Sequence, residues 1–145
     1  MKKASKYGVL FVDDQFETRS AYQLYFQRCL NFLTAKNHIE ASKTLKEKYD
    51  FEIAVILVDL QLSDMQGDTS GLNLLTECAH VYPSINRILI TGYINGNICL
   101  EAINSGTVHK MIAKPCLLKN LEQLLYEAMG QFIKNKMGRL SSPTD

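Results

Sequence analysis

The sequence predicts an α/β fold built on a parallel sheet, and three observations carry that prediction. Short β-branched runs alternate along the chain with stretches of helical periodicity. Two of those runs, residues 8–12 (GVLFV) and 53–58 (IAVILV), are apolar without interruption, as strands covered on both faces are. The 145 residues are 46% hydrophobic and 21% charged, an ordinary balance for one globular domain.

Each element follows from its local pattern. The first strand, 8–12, runs into Asp13-Asp14, and a helix is expected over 16–29. A weaker strand covers 32–35. Ile39, Ala41, Leu45 and Tyr49 then recur near helical spacing over 39–49. The strongest strand, 53–58, ends at Asp59. A helix over 71–82 is closed by Pro83, since proline cannot continue one. A fourth strand, 87–90, ends at Thr91-Gly92, and the fourth helix, 98–105, has Gly106 as its C-terminal cap. The fifth strand, 108–113, runs into Lys114-Pro115. The last helix, 117–136, repeats Leu118, Leu121, Leu125, Ala128 and Phe132 every three or four residues. Met129 and Ile133 lie outside that stripe, where a partner is within reach. Residues 1–136 form the domain, and 137–145 read as a polar tail or linker.

Composition excludes several classes. Sixteen Lys+Arg against fifteen Asp+Glu leave a net charge of +1, so no basic field draws this domain onto nucleic acid. The apolar run at 53–58 is far too short for a membrane span, and no signal peptide is visible. Cys29, Cys78, Cys99 and Cys116 form no CxxC pair, which argues for reduced, packed thiols and a cytoplasmic setting.

Ligands of open α/β sheets bind beyond the carboxyl ends of the strands. Here those ends carry Asp13-Asp14, Asp59, Thr91 and Lys114, so three carboxylates, a hydroxyl and an ammonium share one edge. Crowded carboxylates need a cation, and oxygen-only ligands favour Mg²⁺. From Asp50 to Asn86 the chain has acidic residues and no Lys or Arg, so Lys114 and a metal are the counter-charges within reach. Together they suit phosphoryl transfer to a carboxylate nucleophile.

VLFVDDQ (9–15), VILVDLQL (55–62), ILITGY (88–93) and AKPC (113–116) together resemble the receiver domain of two-component response regulators. The likeness runs over roughly residues 7–135. It implies a flavodoxin-like, doubly wound (βα)5 sheet in the order 2-1-3-4-5. It also implies that Asp59 is the phosphoacceptor, and that Asp13, Asp14, Asp59 and the backbone carbonyl of Gln61 hold Mg²⁺. Thr91 and Lys114 would bind phosphoryl oxygens. Gly92 would leave room for the phosphodonor, and Pro115 would shape the peptide after Lys114 through a cis bond. Gln61 and Tyr93 occupy positions that tune phosphoryl lifetime. The implied partners are a sensor histidine kinase or histidine phosphotransfer protein. A homodimer or an effector would use the surface of the fourth helix, fifth strand and fifth helix. The chain would be a self-phosphorylating acceptor and not a turnover enzyme.

Three departures stand beside the matches. Leu62-Ser63 replaces the usual Met-Pro. The glycine opening the third helix fits better at Gly71 than at Gly67, which implies a four-residue loop insertion. Met111 fills the place of the switch aromatic.

Taken singly, these residues have ordinary readings: Asp13-Asp14 as a helix N-cap, Asp59 as a turn residue, Thr91 as a core hydroxyl, Cys116 as a packed thiol. His38 and His109 read as surface residues, and His80 lies in a helix without a partner at metal spacing. It is the coincidence at four strand ends that favours the acidic site. The alternative is a receiver-fold module that binds partners regardless of phosphate. A phosphatase of the aspartate-nucleophile type fits poorly, because Gln61 stands where its second acid belongs.

Overall fold

The computed structural model describes residues 6–48, 53–63, 69–92 and 96–140. Five strands, β1 (Gly8–Val12), β2 (Asn31–Ala35), β3 (Ile53–Asp59), β4 (Asn86–Thr91) and β5 (Lys110–Ala113), form one parallel sheet in the order β2-β1-β3-β4-β5. Between and after them run α1 (Phe16–Phe26), α2 (His38–Lys48), α3 (Ser70–Val81), α4 (Gly96–Asn104) and α5 (Leu118–Leu140). The predicted fold class and strand order are those observed.

Burial explains the order. Every residue of β1, β3 and β4 is buried, whereas β2 and β5 have partly exposed residues and stand at the edges. Alternation along β1 sends Val9 and Phe11 to one face of the sheet and Leu10 and Val12 to the other. On the first face they meet Phe26 of α1 and Leu121, Leu125 and Phe132 of α5. On the second they meet Leu45 of α2, Leu74 and Cys78 of α3, and Ala102 of α4. Neither face alone is a core, and the two layers of helices make both.

Several element limits differ from those expected. α1 ends at Phe26 and not at residue 29, because the Cys29 and Leu30 N–H groups both donate to the Phe26 carbonyl and turn Leu30 inward. β5 starts at Lys110 and not at Val108. The Val108 N–H is engaged by the Ala102 carbonyl at the end of α4, and the Thr107 N–H donates there too. With Gly106 at φ +80°, this is a Schellman closure, and the glycine cap is where the sequence puts it. α4 starts two residues earlier, at Gly96. α5 continues through Leu140, so residues 137–140 are helix and not tail; residues 141–145 lie outside the described residues, as does Tyr49. Met129 is 4% exposed and belongs to the core, which removes it as a partner contact; Ile133 remains exposed.

At the edge opposite the acidic residues, Arg87 is buried, and among the described residues no carboxylate forms an ion pair with it. Its guanidinium donates to the carbonyls of Pro83, Ile85, Gly106 and Thr107 at 2.8–3.3 Å. These carbonyls follow the C-terminal ends of α3 and α4, where a cation is favoured. His109 is a surface residue, as expected, and it accepts the Arg87 backbone N–H on Nδ1 at 2.9 Å. Among the described residues no helix is long and apolar enough to cross a membrane.

Candidate functional site

The strand ends do converge. β1 delivers Asp13, β3 delivers Asp59 as its last residue, β4 delivers Thr91, and Lys114 follows β5 directly. The Lys114 N–H donates to the Thr91 carbonyl at 2.9 Å, which extends the β4–β5 pairing by one bond and sets the lysine beside the threonine. A cavity of about 440 Å³ opens there, lined by Asp14, Gln15, Asp59, Gln61, Ser63, Thr91, Gly92 and Lys114.

Asp13 is fully buried, and its Oδ1 accepts the Gln15 N–H at 2.8 Å. Asp59 is almost buried; its Oδ1 accepts the Gln61 N–H at 3.0 Å and its Oδ2 accepts from Lys114 Nζ at 2.5 Å. The same Nζ reaches Asp13 Oδ2 at 3.4 Å, so one ammonium bridges two carboxylates. Burial, opposed by the Gln15 N–H and by Lys114 and reinforced by the nearby Asp59 charge, pushes the Asp13 carboxyl up to about 6. Burial acts to lower the Lys114 ammonium, but its hydrogen bond to Asp59 and the charges of Asp59 and Asp13 outweigh that and raise it.

The donor set fits a hard divalent cation. It is made of oxygen atoms, and the raised carboxyl of Asp13 marks a group short of positive charge. Among the described residues no three His, Cys, Asp or Glu side chains form a ready metal cage. Mg²⁺ does not ask for one, since it keeps waters and takes one or two carboxylates with phosphate oxygens.

The remaining expected residues are placed as follows. Thr91 is 2% exposed, and Gly92 is exposed at the cavity mouth. A Cβ on Gly92 would meet only the Lys114 Cβ, at 3.8 Å, so a small residue fits there without strain. The Lys114-Pro115 peptide is cis. Met111 is half-buried against the core beside Leu89, its register partner on β4. Tyr93 and Gly67 lie outside the described residues. Gly71 is buried, and a Cβ there would stand 2.1 Å from the Asp59 carbonyl oxygen. Its N–H donates to the Leu60 carbonyl at 2.9 Å, so α3 begins against the backbone of Asp59 and Leu60, where only glycine fits.

Three contributors were not read from the sequence. Gln15 acts through its backbone N–H and Ser63 through its place in the cavity wall, and neither leaves a residue-type signal. Arg19 donates from Nη1 to the Asp13 carbonyl at 2.7 Å. Its signal was available: helical side chains lean toward the helix N-terminus, so a long cation early in α1 points back to the end of β1.

Residues 9–126 match the family model described as the response regulator receiver domain. The chain belongs to that family. This receiver domain is 32% identical over 109 residues to the transcriptional regulatory protein FixJ of Rhizobium meliloti, covering 75% of this chain and 50% of that protein. It is 26% identical over 133 residues to the hydrogenase transcriptional regulatory protein HoxA of Cupriavidus necator, covering 91% of this chain and 26% of that protein. The receiver domain thus spans half or less of the length of these curated relatives. Among solved structures, a CheY-like response regulator receiver domain protein from Methanospirillum hungatei superposes with a TM-score of 0.78 at 20% identity, covering 90% of this chain and 99% of that one. A structure described as an adenylate cyclase from Rhodopirellula baltica superposes at 0.80 with 21% identity, covering 95% and 99%. At such identities these two likenesses concern the fold alone.

Proposed function

We propose that this receiver domain takes a phosphoryl group onto Asp59 from a phosphohistidine of a sensor kinase or histidine phosphotransfer protein. The observation that carries the reading is the Asp59 carboxylate, at the floor of an open cavity, bound to Lys114 and flanked by Asp13, Asp14 and Thr91. One Asp59 oxygen attacks phosphorus and the P–N bond breaks; with the donor's other ring nitrogen already protonated, the imidazole takes the electron pair and leaves as a neutral ring. Asp13, Asp14, Asp59 and the Gln61 carbonyl would hold Mg²⁺, which would supply positive charge to the phosphoryl oxygens. Lys114 and Thr91 bind two of those oxygens. The gathered donors act by positioning and electrostatics, as phosphoryl transfer requires. Gly92 keeps the mouth open to the donor, and Gln61 and Tyr93 set how long the acyl phosphate lasts.

Phosphorylation moves the Lys114 hydrogen bond from carboxylate to phosphoryl oxygen and draws Thr91 inward. β4 and β5 carry that change to the surface of α4, β5 and α5, with half-buried Met111 in the place of the switch aromatic. The output is a second copy or an effector at that surface, within the cytoplasm. The domain is an acceptor and not a turnover enzyme, and it does not itself contact nucleic acid. Intact-mass spectrometry after incubation with a small phosphodonor tests this. One Mg²⁺-dependent phosphoryl adduct, absent in Asp59→Asn, is expected. Its absence while Mg²⁺ still binds would sink the relay reading.

A further inference from the structure

Asp13 leaves the sheet with two of its three polar groups already engaged. Its N–H donates to the Ala35 carbonyl at 3.1 Å, and its carboxylate Oδ1 accepts from Gln15. The carbonyl lies past the end of β1 and takes the Arg19 guanidinium at 2.7 Å. We infer that Arg19 is a positioning residue for the cation site, an inference that rests on the Mg²⁺ reading above. A peptide unit is a rigid plane, so the Asp13 oxygen and the Asp14 nitrogen turn together. Holding the oxygen therefore sets the direction in which the chain presents both Asp13 and Asp14.

The bond is charge-assisted and short, the kind that holds a geometry. Arg19 is itself anchored, half-buried on α1, with its N–H donating to the Gln15 carbonyl at 3.1 Å. The strand end, the turn through Gln15 and the first turns of α1 thus form one braced unit, and the guanidinium closes it. Arg19 touches neither cation nor phosphoryl group; it acts through the main chain of the residues that do.

The sign of the effect separates this role from a plain charge effect. Removing a cation near an acidic site tightens Mg²⁺ binding if charge alone matters. Loosening the ligands weakens it. Isothermal titration of the full chain with Mg²⁺, beside melting curves in chelator, reads both. In Arg19→Met the Kd for Mg²⁺ should rise about ten-fold, as loss of a group orienting metal ligands typically does. Arg19→Lys keeps one donor and should stay within about three-fold of the wild type. If Arg19→Met fails to fold, Arg19→Gln, whose shorter side chain cannot span the distance, replaces it with the same expectation. A lower melting temperature with unchanged Kd would make Arg19 merely structural and overturn the proposal, and a tighter Kd would do the same. A wild-type chain that binds no Mg²⁺ would instead defeat the cation reading on which the proposal stands.

Discussion

Lys114 Nζ lies 2.5 Å from Asp59 Oδ2 and 3.4 Å from Asp13 Oδ2, so a lysine at the end of the last strand neutralises carboxylates delivered by two others. No sequence segment carries both halves of this arrangement. It exists because parallel strands end on one edge and because Asp13, fully buried, has lost the hydration that would otherwise stabilise its charge.

Replacing that lysine tests the electrostatics. Lys114→Met leaves two buried carboxylates facing each other, which should cost about 3 kcal/mol of stability at pH 8 in chelator, the low end for a broken buried pair because Lys114 is partly exposed. The loss should shrink on acidification, because a carboxyl can then take a proton. The wild-type Asp13 carboxyl titrates near 6 folded and 3.8 unfolded, so the folded state binds the proton more tightly. Its contribution therefore falls as pH rises from about 4 through 6, and a bound cation removes that slope. Melting curves from pH 4 to 8, with and without Mg²⁺, measure both effects. Flat wild-type curves in chelator would contradict the account.

Gly71 makes a steric prediction. An alanine Cβ would fall 2.1 Å from the Asp59 carbonyl oxygen, so Gly71→Ala must displace α3 or the end of β3. A loss of about 2–4 kcal/mol is expected, in the range of overpacking at a site that cannot yield. Gly67→Ala should cost little if Gly67 belongs to the four-residue insertion. Urea midpoints of the two variants decide between the glycines, and equal costs would remove the basis for placing the insertion there.

The Arg87 and His109 pair gives a second pH dependence of opposite sense. Burial, then the neighbouring Arg87 charge, lowers the His109 imidazole below 6.5. Its Nδ1 must stay unprotonated to accept the Arg87 N–H at 2.9 Å. Below 6.5 the unfolded chain takes the proton first, so stability falls as pH falls through that window. His109→Asn keeps an acceptor and does not titrate. The gap between the two proteins' urea midpoints should change between pH 7 and 5, with the wild type losing more; parallel curves would count against this.

The unbroken apolar run at 53–58 and the glycine at 106 predict their elements correctly because each is a local matter, of strand burial and of helix closure. The end of α1 and the start of β5 depart from the local pattern because hydrogen bonds from Cys29, Leu30 and Val108 to residues three to six positions back decide them. Periodicity does not register such bonds. Met129 lies outside the three-or-four spacing of the α5 stripe, yet its side chain packs into the core. The inward face of that helix is wider than the stripe of three-or-four spacing suggests.

Taken alone, the chain's order of residues specifies five βα units and the residue types at each strand end, acidic ones after the first and third strands among them. Those features follow from nearest-neighbour physics: burial on two faces demands apolar strands, and turns demand polar ends. Only the folded sheet decides that Lys114 bridges Asp59 and Asp13, that Gly71 rests on the backbone of Asp59, and that Arg19 holds the Asp13 carbonyl. The bridge spans residues a hundred positions apart in the chain, and all three contacts depend on strand register and helix placement, which are set by packing both faces of the sheet at once.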